Sequence, residues 1–201
     1  MATKTQTQTQ TRTATAQRSV LLIGRSQLVL DESVAGLRGL GYTAQGTNDF
    51  SNVTERFDPR TLDLVVFGGQ VPPDRKAELR KEIGDINPRI IFVQGLAGIP
   101  GLIISQVQGA FSEPDPAAAP SYDAAGRAIR LTLPAPAEVT VTLWWGTSFV
   151  PPDPRSDSRQ VRHGRLPSGD HLVPIPAHIP RTAAFATVRI DDALHSFSIA
   201  G

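Results

Sequence analysis

Short apolar runs recur through the first half of the chain and predict β-strands. Residues 19–23 (SVLLI), 62–67 (LDLVVF) and 89–93 (RIIFV) are almost continuously apolar. Such runs are typical of strands that are buried on both faces of a parallel sheet. Residues 42–45 (YTAQ) predict a weaker second strand, which makes four strands in all.

Apolar residues at helical spacing separate these runs. Leu30, Val34, Leu37 and Leu40 recur along one predicted helix face and stop at Gly41, which suits a helix C-terminus. Residues 50–60 predict a short helix or an irregular crossover. Residues 72–86 predict a helix that begins with two prolines, and residues 99–111 predict a last helix. Strand and helix alternate four times, so residues 19–111 predict a three-layer α/β domain of receiver-like or Rossmann-like class, with a parallel sheet of about four strands.

The second half loses the helical period. Residues 112–120 (SEPDPAAAP) predict an extended linker. Five short strand candidates follow, at residues 128–133, 138–145, 171–175, 184–190 and 195–199. The last two are joined through Asp191 and Asp192, which predicts a hairpin. Residues 121–201 therefore predict a small all-β sandwich, with residues 151–165 as a long exposed loop.

Composition narrows the function classes. The 201 residues carry 20 basic and 19 acidic side chains, for a formal net charge of +1, which disfavours a nucleic-acid partner or a polybasic membrane binder. The chain has no cysteine, which excludes disulfides, thiolate zinc sites and a catalytic thiol. No apolar run approaches the roughly 18 residues of a membrane helix, so we expect no membrane contact and a cytoplasmic location.

Two further features follow from composition. Residues 1–18 contain mostly Thr, Gln and Ala, and predict a disordered tail. The histidines lie in the second half at spacings that match no ligand motif, so we expect neither a metal nor another cofactor; they are His163, His171, His178 and His195.

A candidate ligand site lies where the parallel strands end. Ligands of open parallel sheets bind outside the carboxyl ends of the strands. The residues at these ends are Gly24, Arg25, Ser26, Asn48, Asp49, Gly68, Gly69, Gln70 and Gln94. Arg25 could pair with an anionic group. The G-x-G-x-x-G fingerprint of dinucleotide folds is absent, and glycines also end strands for conformational reasons alone, so both interpretations stay open.

A candidate protein interface lies in the second half. Trp144 and Trp145 are adjacent in a predicted strand, so one should face the core and the other a wet face or a partner. The alternative, that both pack within this chain, stays open. Arg159 and Arg162 belong to an arginine-rich segment that could contact an acidic partner or remain solvated.

The first half resembles the receiver domain of two-component response regulators, through its order LLIG, helix, GYTAQG and DLVVFGGQVPP. Receivers carry acidic residues after the first strand, to hold Mg²⁺, and an aspartate after the third strand, to take phosphate. Here these places hold Gly24-Arg25-Ser26 and Gly68, and Gln94-Gly95 stands where a hydroxyl is expected. The resemblance therefore implies a truncated pseudo-receiver that cannot take phosphate.

The second half resembles the immunoglobulin-like modules of the flagellar hook-capping protein and of secretion-system sorting domains. The residues that carry this resemblance are 138–143, 164–171 (GRLPSGDH) and 184–190. It implies a binding or scaffolding module.

These observations predict a non-catalytic regulatory or scaffolding protein that acts through contact with another protein or with itself. The alternative is an enzyme or sensor that binds a small nucleotide-like ligand at the carboxyl edge of the sheet.

Overall fold

The computed structural model describes residues 17–113, 115–148 and 155–200. The predicted tail at 1–18 lies outside these ranges, apart from Gln17 and Arg18. A parallel sheet with strand order β2-β1-β3-β4 is built from β1 (Ser19–Ile23), β2 (Thr43–Thr47), β3 (Leu64–Phe67) and β4 (Ile91–Gln94). The helices between and after these strands are α1 (Gln27–Gly39), α2 (Val53–Arg56), α3 (Pro73–Ile86) and α4 (Pro100–Ala110). The prediction of a parallel α/β fold is confirmed.

The central strands are buried on both faces, as their continuous apolar sequences predict. In β1, Val20 and Leu22 pack in one core cluster with residues of α1 and α4. Leu21 and Ile23 point to the opposite face and pack in a second cluster with residues of α3. Helices therefore cover both faces of the sheet, which leaves its edges and the ends of its strands as accessible surface.

Helix α1 is fixed at both ends by local sequence. The Ser26 side chain caps its first turn and accepts a hydrogen bond from the Val29 amide (3.4 Å). At the other end Gly41 has φ = +92°, and the amides of Gly41 and Tyr42 donate to the carbonyls of Arg38 and Leu37 (3.0 and 3.1 Å). This pair of bonds is the Schellman ending that glycine allows.

The second half forms two antiparallel sheets. Their strands are β5 (Ser121–Asp123), β6 (Ala128–Leu133), β7 (Ala137–Ser148), β8 (Arg155–Leu166), β9 (Gly169–Pro174), β10 (Ala184–Ile190) and β11 (Ala193–Ser198). One sheet has the order β5-β6-β9 and the other β11-β10-β7-β8. Side chains of both sheets, such as Ile129 and Val141, belong to one hydrophobic cluster.

Two segments differ from their prediction. The predicted loop at 151–165 is wrong for residues 155–165, which belong to strand β8; residues 151–154 lie outside the described ranges. Residues 155–160 are all exposed, so no apolar alternation marks the strand, and its pairing with β7 defines it. The predicted linker contains a 3₁₀ helix (Pro116–Ala118), and Ala118 packs in the core of the two antiparallel sheets.

Helix α4 lies between the parallel sheet and the antiparallel sheet that contains β7 and β11. Its residues Leu102, Ile103 and Val107 are buried, and the last two pack in a core cluster of the parallel sheet. A Cβ on Gly101 would collide with the indole ring of Trp144 in β7, and a Cβ on Gly109 would lie 2.6 Å from the Leu194 carbonyl oxygen in β11. These close approaches place one side of α4 directly against the antiparallel sheet.

Candidate functional site

A cavity of about 420 Å³ opens at the carboxyl edge of the parallel sheet, where the two halves meet. The loops that follow β1, β3 and β4 form most of its wall, and the second half contributes Gly146 and Arg155. Its wall residues from the loops are Gly24, Arg25, Ser26, Gly68, Gly69, Gln70, Ala97, Gly98 and Ile99. The volume is within the roughly 300–1,000 Å³ typical of small-molecule sites.

The floor of the cavity is apolar. It is formed by buried side chains of the sheet and of helices α1 and α4, namely Leu22, Ile23, Val29, Leu30, Val66 and Ile103. These residues also belong to the two cores that flank the sheet, so the floor is held by packing on both faces. A preformed apolar floor of this kind favours a ligand with a hydrophobic part.

The glycines at the strand ends bring their backbones close together. A Cβ on Gly68 would lie 3.3 Å from Gly24 Cα and 3.4 Å from the Ile23 carbonyl oxygen. Gly68 also donates its amide to that carbonyl, at 2.8 Å. This tight packing accounts for glycine at position 68 in conformational terms, and it also leaves bare backbone in the cavity wall.

Arg25 belongs to the cavity wall and contacts two other loops of the same half. Its Nε donates to the Gln70 carbonyl (3.1 Å), and its guanidinium carbon lies 5.6 Å from the centre of the Phe50 ring. Arg25 makes no salt bridge with any residue that the structure describes. The side chain therefore joins the loops after β1 and β3 while its terminal nitrogens remain open for another acceptor.

Two helix N-termini border the same cavity. Ser26, the cap of α1, and Ile99, the cap of α4, both belong to its wall. Neither helix carries an acidic residue in its first turn. The positive ends of the two helix dipoles are thus not neutralised from within their own first turns.

Three of the predicted site residues lie outside this cavity wall. Asn48 and Asp49 follow β2, where Asp49 forms an ion pair with Arg56 (2.8 Å). Hydrogen bonds from Ser51, with a smaller contribution from Arg56, lower the pKa of Asp49. Gln94 instead ties β4 to β3, because its Nε2 donates to the Phe67 carbonyl (3.0 Å).

The two tryptophans have their contacts inside the chain. Trp145 is 9% exposed and belongs to the core of the antiparallel sheets. Trp144 is half-buried, packs over Gly101 of α4, and donates from Nε1 to Thr187 Oγ1 (3.0 Å). Trp144 thus packs against the chain's own helix, and a role for either tryptophan in a partner interface stays a prediction.

The two predicted interface arginines lie on β8, an edge strand of its sheet. Arg159 is exposed, and its Nη1 lies 3.2 Å from Nε2 of His178, whose ring makes an edge contact with Trp145. Arg162 is half-buried, and its Nε has no hydrogen-bond partner within the described residues. Their role as an interface stays a prediction.

Residues 97–99, Gly146 and Arg155 were missed as site residues. The loop after β4 had a signal, because the fourth strand end was recognised at Gln94 and the same loop continues to Ile99. Gly146 and Arg155 had none, since only the packing of the antiparallel sheet on α4 brings them to the cavity.

The cavity wall offers cationic and backbone donors and an apolar floor, with no Asp, Glu, His or Cys among its described residues. Elsewhere in the described part of the chain, no cluster of such residues has the geometry to hold a metal ion. Among the same residues, no helix is both long and apolar enough to cross a membrane. The combination of donors and apolar surface suits the binding of a small molecule.

Comparison with known proteins found no protein family that matches this chain and no curated protein that is detectably similar to it.

Proposed function

We propose that this chain is a non-catalytic regulatory protein that binds a small molecule in the cavity between its two halves. The observation that carries the proposal is the cavity itself: a preformed volume of about 420 Å³ at the carboxyl edge of a parallel sheet, with an apolar floor and a few polar groups in its wall. This is the position at which open parallel sheets bind ligands.

The proposal of a non-catalytic role is supported by the residues at the strand ends. The strand order β2-β1-β3-β4 agrees with the first four strands of the flavodoxin-like order, which supports a relation to receivers. Gly68 and Gly24-Arg25-Ser26 supply neither the aspartate that takes phosphate in receivers nor the acidic residues that hold their Mg²⁺. We therefore propose a pseudo-receiver, and an immunoglobulin-like module after it, in which the strand ends bind a ligand without reacting with it.

A ligand in this cavity would contact both halves at once. Gly146 and Arg155 come from the antiparallel half and the other wall residues from the parallel half. Binding would consequently stabilise the packing of the antiparallel sheet on α4. The ligand concentration would then control how firmly the two halves are held against each other.

The experiment is a thermal-shift screen of nucleotides, NAD(P) and a fragment library, with ligand-observed NMR on every hit. Saturation at about 100 times the Kd should raise Tm by roughly 5–10 °C for a chain of this size. Gly69 lines the cavity, and a Cβ there would have no atom within 4 Å. Gly69→Leu should therefore fill part of the cavity and abolish binding.

The matched control is Gly39→Leu, because Gly39 also has open space around its Cβ position but does not line the cavity. Hits that bind Gly69→Leu as well as the unmodified chain, or a screen without any hit, would refute the proposed site. Incubation with acetyl phosphate and Mg²⁺ should leave the intact mass unchanged. A mass gain of one phosphoryl group would refute the non-catalytic assignment.

A second candidate function, self-association, is favoured by one observation. Strand β8 is 12 residues long, pairs only with β7 among the described strands, and exposes residues 155–160. Long exposed edge strands pair readily with a further strand. Light scattering at increasing protein concentration tests this: a dimer would support pairing through β8, and a monomer at all concentrations would exclude it.

A further inference from the structure

We infer that the ligand of the cavity carries an anionic head group, a phosphate or a carboxylate, on an apolar body. This inference rests on the proposed binding function and specifies the chemical class of its ligand. Its basis is the combination of charge and apolar surface in a single cavity wall.

The charge in the cavity wall has one sign. Arg25 and Arg155 are its ionisable residues, and each comes from a different half of the molecule. Elsewhere five described arginines pair with a nearby carboxylate, such as Arg56 with Asp49 and Arg130 with Asp123. Neither cavity arginine forms such a pair with a described residue.

Two carboxylates that share a neighbouring cavity with Arg155 do not pair with it. Glu32 and Asp157 line a neighbouring cavity that Arg155 also borders, between α1 and β8. Neither forms a salt bridge with Arg155. An anion in the larger cavity would therefore have access to a guanidinium group that no carboxylate of the described chain occupies.

The dipoles of helices α1 and α4 also favour an anion in this cavity. The N-termini of α1 and α4, helices of 13 and 11 residues, border the cavity without an acidic residue in their first turns. The Ser26 hydroxyl occupies the Val29 amide and leaves the amides of Gln27 and Leu28, the first two helical residues, without an intrahelical acceptor. These donors favour the same sign of ligand charge as the two arginines.

The apolar floor of the cavity indicates that the part of the ligand beyond its head group is apolar. An inorganic anion would contact the charged wall but leave the apolar floor formed by Leu22, Val66 and Ile103 uncovered. A ligand with a ring or short alkyl body would cover it, and the transfer of apolar surface from water would contribute to affinity. The cavity therefore matches an amphiphilic anion better than either a bare ion or a neutral apolar compound.

Calorimetric titration of the full chain with three probes that share one naphthyl body tests the inference: 1-naphthyl phosphate, 1-naphthoate and the neutral 1-naphthylmethanol. We expect one or both anions to bind at least about tenfold more tightly than the alcohol, the scale of one charge-assisted contact. The phosphate and the carboxylate serve as separate arms and show which head group is preferred. Inorganic phosphate should bind more weakly than naphthyl phosphate.

Three variants locate the effect. Arg25→Gln and Arg155→Gln should each remove most of the preference for the anion, whereas Arg165→Gln should keep it, because Arg165 lies on the same strand as Arg155 but outside the cavity. Thermal melts of each variant establish that the fold is retained.

The outcomes separate this inference from the proposed function. If the neutral probe binds as tightly as the anions, the anionic class is wrong and the cavity remains a binding site. If inorganic phosphate binds as tightly as naphthyl phosphate, the apolar body is wrong. If no anion binds but library hits bind the unmodified chain and not Gly69→Leu, the anionic class is wrong and the proposed binding function still stands. If neither the probes nor any library compound binds, the proposed function is wrong as well.

Discussion

The indole ring of Trp144 in β7 occupies the space in which a side chain on Gly101 of α4 would begin. This contact sets how closely the antiparallel sheet approaches the helix. Gly101→Ala should force the two apart and lower the free energy of unfolding by about 1–3 kcal/mol, the usual cost of overpacking. Denaturant unfolding measures this change.

The control for this substitution is Gly39→Ala, at an exposed position of α1 where a Cβ meets no atom within 4 Å. It should raise the free energy of unfolding by about 0.5–1 kcal/mol, because alanine favours the helix. Combining Gly101→Ala with Trp144→Ala should cost less than the sum of the two single changes. Strict additivity would show that the ring and the glycine are not in contact.

Gly41 ends helix α1 with a positive φ of +92°. Gly41→Ala should destabilise the protein by about 1 kcal/mol, since a Cβ is strained in this conformation. Gly41→Asn should cost less, because asparagine tolerates positive φ better than alanine does. Urea midpoints of the two variants test the order, and an alanine variant as stable as the unmodified chain would contradict it.

Ser33 is fully buried in α1, and its hydroxyl has no hydrogen-bond partner within the described residues. Ser33→Ala should therefore stabilise the protein, by roughly 1–2 kcal/mol, because it removes a buried unsatisfied group and introduces a better helix former. Ser105→Ala is the matched control, since the Ser105 hydroxyl donates to the Gly101 carbonyl (2.9 Å). Equal gains from both substitutions would show that the Ser33 hydroxyl is not the cause.

Burial lowers the pKa of His195 in β11, and its Nε2 is buried without a partner in the described part of the chain. As the pH falls, His195 in the unfolded chain takes up a proton at a higher pH than it does in the folded protein. The free energy of unfolding is therefore highest above about pH 6.5 and decreases as the pH drops toward the pKa of the folded state. His195→Gln should reduce the loss of stability between pH 8 and pH 5. The exposed His163→Gln provides the control, and an unchanged pH profile in His195→Gln would contradict the prediction.

The parts of the fold that burial dictates were predictable. Residues 64–67 are buried throughout, so their apolar sequence already indicated a central strand. Strand β8 was not predictable in this way, because its first six residues are exposed and its pairing with β7 defines it. A polar edge strand has no sequence pattern of its own.

The residues of the candidate site likewise fall into those that the sequence predicts and those that it does not. Gly24, Arg25 and Gly69 follow predicted strands, so their place at the carboxyl edge could be derived from the sequence. Arg155 reaches the cavity only because α4 packs against the antiparallel sheet. That packing depends on Gly101 and Gly109, whose small size gives no indication in the sequence of what lies against them.

Helix α4 packs against both the parallel sheet and the antiparallel sheet, and this has a consequence for how such a chain can change during evolution. A gene fusion or domain exchange that replaced either half would leave one face of the helix without its matching surface. Recombination within this protein is therefore restricted to pieces that carry α4 together with the strands on both of its sides.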